Sequence, residues 1–199
     1  VVSYEAFAVK MLGAMRQELN FARGQARAGR PPRWVSVPIV ATSHTWENGK
    51  NELSHQDPTL CEAWMAEPPD RARVQFPVDW NSVLACMDAC YRTHGEIWVM
   101  VVPKRPVPDA LDEAQSRQLA ARGALRLVGT GAPEEKLVLV AIGSYQLVEV
   151  LRASERLGQH AVAHAVVVVV EPGRLKSPHD SAEAQATWTD DDLAEIFPE

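Results

Sequence analysis

The ten residues from Ala161 to Val170 close on five consecutive valines, Val166 to Val170, and they limit what this chain can fold into more than any other stretch. β-branched side chains favour extended backbone, and side chains in a strand alternate between faces, so an unbroken run is apolar on both. Left exposed it would template aggregation, so helices must cover it. His164 interrupts the run, which is in any case far short of the ~20 residues of a membrane-spanning helix. Upstream, Lys136 to Ile142 is a second apolar run, Gly143-Ser144 supplies a turn and N-cap, and a helix is predicted to Leu157 with Gly158 as its stop. The prediction is a βαβ unit whose parallel strands are buried on both faces. Two strands alone would leave both edges open, so this sheet is expected to continue in residues outside this sequence.

The first half alternates in the same way. Phe7, Met11, Met15 and Leu19 share one stripe of a helix capped by Ser3, which decays in the Gly24 to Pro32 stretch. Trp34 to Ala41 reads as a strand, with Pro38 requiring a bulge or an edge position. Arg73 to Phe76 is a short strand, Asp79 caps a helix with the stripe Trp80, Val83, Leu84, Met87 and Tyr91, and Glu96 to Val102 is another strand. Strand and helix in alternation imply an α/β fold with parallel sheets. Pro103 to Gly123 reads as a linker or surface helix, and Thr189 with Asp190, Asp191 and Asp192 starts a final helix.

At 199 residues and 46% hydrophobic content the chain can bury a sizeable core. Its net charge of −6, with no Lys/Arg stripe, argues against nucleic acid or anionic membrane as a partner. Cys61, Cys86 and Cys90 make no disulfide framework, which fits a reduced, cytoplasmic setting. Cys86 and Cys90 read as two small apolar residues on a buried helix face rather than a metal pair, because no second Cys or His pair stands at ligand spacing. No metal ligands are assigned.

Chemistry points to the loop from Ser43 to Pro58, rich in His, Asn, Glu and Asp and too polar to form a core. There His44 and His55 flank Trp46, Asn48, Lys50 and Asn51, an arrangement that could hold a histidine acid or base beside amide donors. Taken alone it reads rather as a surface loop with two solvated histidines. No phosphate-binding P-loop, G-x-S-x-G, G-x-G-x-x-G or H-E-x-x-H motif is present.

Three segments in order, Ser3-Tyr4-Glu5-Ala6-Phe7, Ser43-His44-Thr45-Trp46 and Ser54-His55-Gln56-Asp57-Pro58, together resemble the phosphoketolase family of thiamine-diphosphate enzymes. The family pattern reads S-Y-E-A-F, then S-H-x-W-x-Q-D-H-N-G-x-S-H-Q-D-P. The match continues through Phe76-Pro77-Val78-Asp79-Trp80-Asn81 and Val101-Val102-Pro103-Lys104-Arg105-Pro106, and more faintly to Ser177-Pro178-His179. The resemblance implies three-layer parallel-sheet units, both incomplete: residues 1–105 as the second half of a pyrimidine-binding domain, 106–134 as a linker, and 135–199 as the start of a transketolase-type C-terminal domain.

By the same resemblance, Phe7 would stack on the aminopyrimidine of thiamine diphosphate and Tyr4 would line both cofactor and substrate. His55, with Asn51 and Asn48, would serve the reacting centre, His55 as the acid or base that lets a hydroxyl leave as water. Lys104, Lys50, Asn51 and Tyr4 would face the phosphate of a sugar phosphate or inorganic phosphate. Magnesium and a homodimeric partner are implied, with the metal, the diphosphate and the cofactor-activating Glu held by parts upstream of this sequence. The chain is therefore expected to be an internal piece of a larger enzyme, inactive alone and completed by the remaining domains or a partner chain.

Departures from the pattern fall in the loop. Asn48, Gly49, Lys50 and Glu52 stand where the family has Gln, Asp, His and Gly. Lys50 keeps a positive charge available to phosphate, whereas Glu52 would repel phosphate unless turned to solvent. A transketolase-like transfer of the two-carbon unit, or a non-catalytic interaction subunit, are the alternatives.

Overall fold

The computed structural model describes residues 1–42 and 58–197. Its first sheet contains β1 (Val2–Ser3), β2 (Val37–Ala41), β3 (Ala72–Gln75) and β4 (Ile97–Val101), in the order β1-β2-β4-β3 and all parallel. The helices α1 (Glu5–Ala8), α2 (Leu12–Arg27) and α3 (Thr59–Met65) cover one face. There Met15, Leu19, Leu60 and Trp64 pack against Ile39, Val74 and Val99. The buried Trp64 keeps its indole satisfied by donating to the Ile97 carbonyl at 3.1 Å.

On the opposite face lie α4 (Trp80–Tyr91) and α5 (Glu113–Arg122). The second sheet contains β5 (Ala124–Val128), β6 (Leu137–Ala141) and β7 (His164–Val169), with α6 (Ser144–Gln159) between β6 and β7. One core cluster spans the two sheets, bringing Trp98 and Met100 of β4 together with Cys86, Leu119, Leu147, Val168 and Val170. Val167 and Val169 point the other way, against Ala124, Ile196 and Trp188, under α8 (Asp190–Ile196). The valine run is thus the central strand of its sheet, buried on both faces as its composition requires. A short helix α7 (Ser181–Ala184) precedes α8.

The structure differs from several sequence expectations. The second sheet is mixed, because β5, unforeseen in the segment read as linker, pairs antiparallel with β7. β6 is parallel to β7 but lies at the edge, leaving Leu137 and Val140 40% and 43% exposed. Ser3 ends β1 and does not cap the first helix; Tyr4 occupies the N-cap position without a side-chain bond. A 3-10 turn over Val9–Met11 then rotates the helical stripe, so Met15 and Leu19 are buried while Phe7 is 46% exposed. Pro38 needs neither edge nor bulge. β2 lies inside the sheet in regular register with β4, and the Pro38 nitrogen points away from β4, toward which its neighbour Val37 N–H donates to the Glu96 carbonyl at 2.9 Å, so the β4 ladder loses no donor.

On α4 the buried positions are Ser82, Cys86 and Cys90, while Trp80, Leu84 and Tyr91 face outward. Asp79 does cap this helix, and Thr189 caps the last one, each in a reciprocal box with the residue three positions on. Gly143, not Ser144, is the N-cap of α6, and that helix runs past Gly158 to Gln159. Among the described residues no helix is long and apolar enough to cross a membrane.

Candidate functional site

Because β1 to β4 are parallel, the residues that follow each strand emerge at one edge of the first sheet. Tyr4 and Phe7 follow β1, Thr42 follows β2, Pro77 and Asp79 follow β3, and Val102 to Lys104 follow β4. The carboxyl ends of parallel strands are where open α/β sheets bind ligands, since loops and helix N-termini converge there. Backbone bonds lock the edge: Thr42 N–H donates to the Ser3 carbonyl at 2.9 Å and Val102 N–H to the Ala41 carbonyl at 2.9 Å.

Three predicted site residues come together at this edge. The Lys104 ammonium lies 4.4 Å from the centre of the Tyr4 ring. Tyr4 and Phe7 meet edge to face, with centroids 5.8 Å apart and planes at 80°. Lys10, which sequence reasoning did not single out, places its ammonium 5.8 Å from the Phe7 centroid. The short α1 turn makes this possible, setting Tyr4 and Phe7 three residues apart on one side of the strand exit while Glu5 and Ala8 turn into the protein. His55, Asn51, Asn48 and Lys50 lie outside the described residues.

At the same edge of the sheet is an apolar pocket of about 400 Å³, lined by Val40, Pro77, Trp80, Val102, Pro103 and Pro106 among others. Its wall is built by Asp79, which is 3% exposed. One carboxyl oxygen accepts from Ser82 N–H at 2.8 Å. The other accepts from Ala110 N–H at 2.9 Å and Leu111 N–H at 2.8 Å. Asn81 donates from its amide to the Leu111 carbonyl at 2.7 Å. The helix-cap signature of Asp79 was legible in the sequence, but nothing in it announced the second pair of bonds.

The cysteines carry no chemistry here. All three are free and buried, and burial, the dominant cause, pushes the thiols of Cys61, Cys86 and Cys90 up to about 12. Among the described residues no group of three or more His, Cys, Asp and Glu side chains could hold a metal ion.

The chain has the α/β fold of the transketolases. A transketolase from Pichia stipitis, solved in complex with sedoheptulose 7-phosphate, superposes with a TM-score of 0.70 at 15% identity, over 100% of this chain and 25% of that one. Transketolase from Leishmania mexicana gives 0.62 at 19% identity, over 80% of this chain and 22% of that one.

Sequence narrows the class to a family. Residues 1–93 match the family model of D-xylulose 5-phosphate/D-fructose 6-phosphate phosphoketolase. A protein of Streptomyces avermitilis named "Probable phosphoketolase" is 33% identical over 179 residues, 86% of this chain and 22% of its own length. One of the same name from Bifidobacterium animalis subsp. lactis is 26% identical over 204 residues, 98% of this chain and 24% of its own length. The chain belongs with the phosphoketolases, and it spans about a quarter or less of the length of these relatives.

Proposed function

We propose that this chain forms part of the active-site wall of a thiamine-diphosphate-dependent lyase. The reaction is cleavage of a ketose phosphate, xylulose 5-phosphate or fructose 6-phosphate, by inorganic phosphate to acetyl phosphate and an aldose phosphate. The observation that carries this reading is the cluster at the carboxyl edge of the first sheet, where Lys104 sits over Tyr4 and Tyr4 packs on the exposed ring of Phe7. An exposed flat ring suits an aminopyrimidine, and an ammonium within reach of the same rings suits a phosphate. When bound, thiamine diphosphate supplies the nucleophilic carbon that cleaves the C2–C3 bond of the ketose.

Each residue of this chain then has a task. Phe7 holds the pyrimidine face, and Tyr4 orients the substrate. Lys104 and Lys50 hold phosphate oxygens. His55 protonates the hydroxyl that leaves as water, and Asn51 and Asn48 hydrogen-bond the reacting group. The diphosphate and magnesium are assigned to other domains. Residues 1–105 are proposed as the second half of a pyrimidine-binding domain and 135–199 as the start of a transketolase-type C-terminal domain. The complete enzyme is proposed to be a cytoplasmic homodimer, and this chain alone inactive.

The test is an assay of the complete enzyme with thiamine diphosphate, magnesium, inorganic phosphate and each ketose phosphate. Acetyl phosphate, captured as its hydroxamate, is the expected product, and His55→Ala should abolish it. An enzyme that makes a new ketose phosphate from an added aldose phosphate, and no acetyl phosphate, would instead be a transferase.

A further inference from the structure

The segment that carries Lys104 is strung between two fixed points. At one end Val102 N–H is tied to the Ala41 carbonyl at 2.9 Å, the last rung of the sheet. At the other, the N–H groups of Ala110 and Leu111 converge on one oxygen of Asp79 at 2.9 and 2.8 Å. Leu111 is itself buried, sharing a core cluster with Val78, and its carbonyl accepts from Asn81. Between the ties stand Pro103, Pro106 and Pro108, whose rings fix φ and leave the segment few ways to rearrange. Lys104 is exposed on this stiff span, its ammonium over Tyr4.

Asp79 therefore does two things with one side chain. It caps α4 through Ser82, and it anchors the far end of the Lys104 segment. We propose that Asp79, assisted by Asn81, is a positioning residue that holds Lys104 where it meets the attacking inorganic phosphate. This deepens the proposed function and rests on its assignment of Lys104.

The physics is one of populations. Replacing the Asp79 carboxyl frees two backbone donors at the end of the segment, and the segment gains conformations in which Lys104 has left Tyr4. Apparent affinity falls by the fraction of molecules still in the competent arrangement.

The complete enzyme carrying Asp79→Asn, Asn81→Ala or Lys104→Ala separates the possibilities. For Asp79→Asn, the KM for inorganic phosphate is expected to rise about tenfold, by more than kcat falls, with thiamine diphosphate affinity unchanged. Tryptic cleavage after Lys104 in the folded protein should accelerate by a similar factor. Asn81→Ala, which keeps the helix cap, should show a smaller change of the same kind and guards against a variant that fails to fold. If Lys104→Ala raises the phosphate KM but neither Asp79→Asn nor Asn81→Ala does, Asp79 is a helix cap only and the inference is overturned. If Lys104→Ala leaves the phosphate KM unchanged, the assignment of Lys104 falls first and the positioning role with it.

Discussion

Arg73 on β3 and Glu171, which follows β7, form a bidentate ion pair that joins the two sheets, with Nε to Oε1 and Nη2 to Oε2 both at 2.5 Å. The pair is enclosed: Glu171 is 3% exposed, and the Arg73 guanidinium lies 3.9 Å from the centre of the Trp98 ring. Arg174 donates to Glu171 at 2.8 Å, and Trp98 donates to Glu96 at 2.8 Å. Beside this network Phe76 N–H reaches the Val170 carbonyl at 2.7 Å, so charge and backbone fix the same junction. Removing one partner deprives the other of its bidentate counter-charge in a low-dielectric site. Arg73→Met or Glu171→Gln should destabilise the protein by about 3–5 kcal/mol in urea unfolding, whereas Arg73→Met with Glu171→Leu should recover much of that loss.

The same pair sets an acid limb of stability. Burial disfavours the charge on Glu171, but the facing Arg73, with Arg174, outweighs it and holds the carboxyl below the usual carboxylate range. A folded-state value below the unfolded one means that the contribution is complete above about pH 4.3 and is lost as pH falls through the folded value. Glu96 acts in the opposite sense, because burial raises it despite Arg73, so its cost at neutral pH is relieved on acidification. Glu171→Gln should therefore flatten the fall in unfolding free energy below about pH 4.3, measured by urea midpoints from neutral pH to pH 3. An unchanged acid limb would remove Glu171 from this role.

Much of this architecture was legible in residue pattern. The valine run dictated a strand covered on both faces, and Asp79 and Thr189 announced helix starts through side chains that reach back to the backbone. β5 was not legible, because five residues interrupted by Arg126 carry little periodicity and its pairing is decided by Gly123. With φ at +82° Gly123 turns the chain out of α5, and its carbonyl accepts from Val170 and Glu171, aligning the two strands. The outward face of α4 misled because Trp80, Leu84 and Tyr91 are larger than the Ser82, Cys86 and Cys90 that pack inward, and periodicity weighs size rather than direction. At the sheet edge, motif matching singled out Tyr4, Phe7 and Lys104, which lie together there, yet the tie from Asp79 to residue 111 spans 32 positions and leaves no local mark.

β6 is an edge strand, and of its five residues none is charged. Such an edge invites pairing with another chain. Val140→Lys, at a position 43% exposed, should reduce self-association of the isolated 199-residue chain by light scattering while changing stability by less than about 1 kcal/mol. Undiminished association would mean that another surface is responsible.

Arg23 on α2 gathers the segment beyond β7 onto the first unit. Its guanidinium donates to Asp180 at 2.9 Å and to Glu183 at 3.2 Å, and lies 3.4 Å from Asp70. Arg23→Met keeps most of the apolar stem and removes the charge, leaving three carboxylates facing one another. Hydrogen exchange in Ser181–Ala184 should accelerate about tenfold or more relative to β7, reflecting local opening that does not unfold the core. Equal acceleration in both would show that the two regions open as one unit.

The most direct test concerns the ring that the account gives to the cofactor. Thiamine diphosphate affinity of the complete enzyme, measured by titration calorimetry with magnesium present, should weaken about tenfold or more in Phe7→Ala, with Phe7→Leu intermediate. Because Phe7 is 46% exposed, thermal stability without cofactor should hardly move. Unchanged cofactor affinity in Phe7→Ala would contradict the assignment of this edge to the thiamine ring.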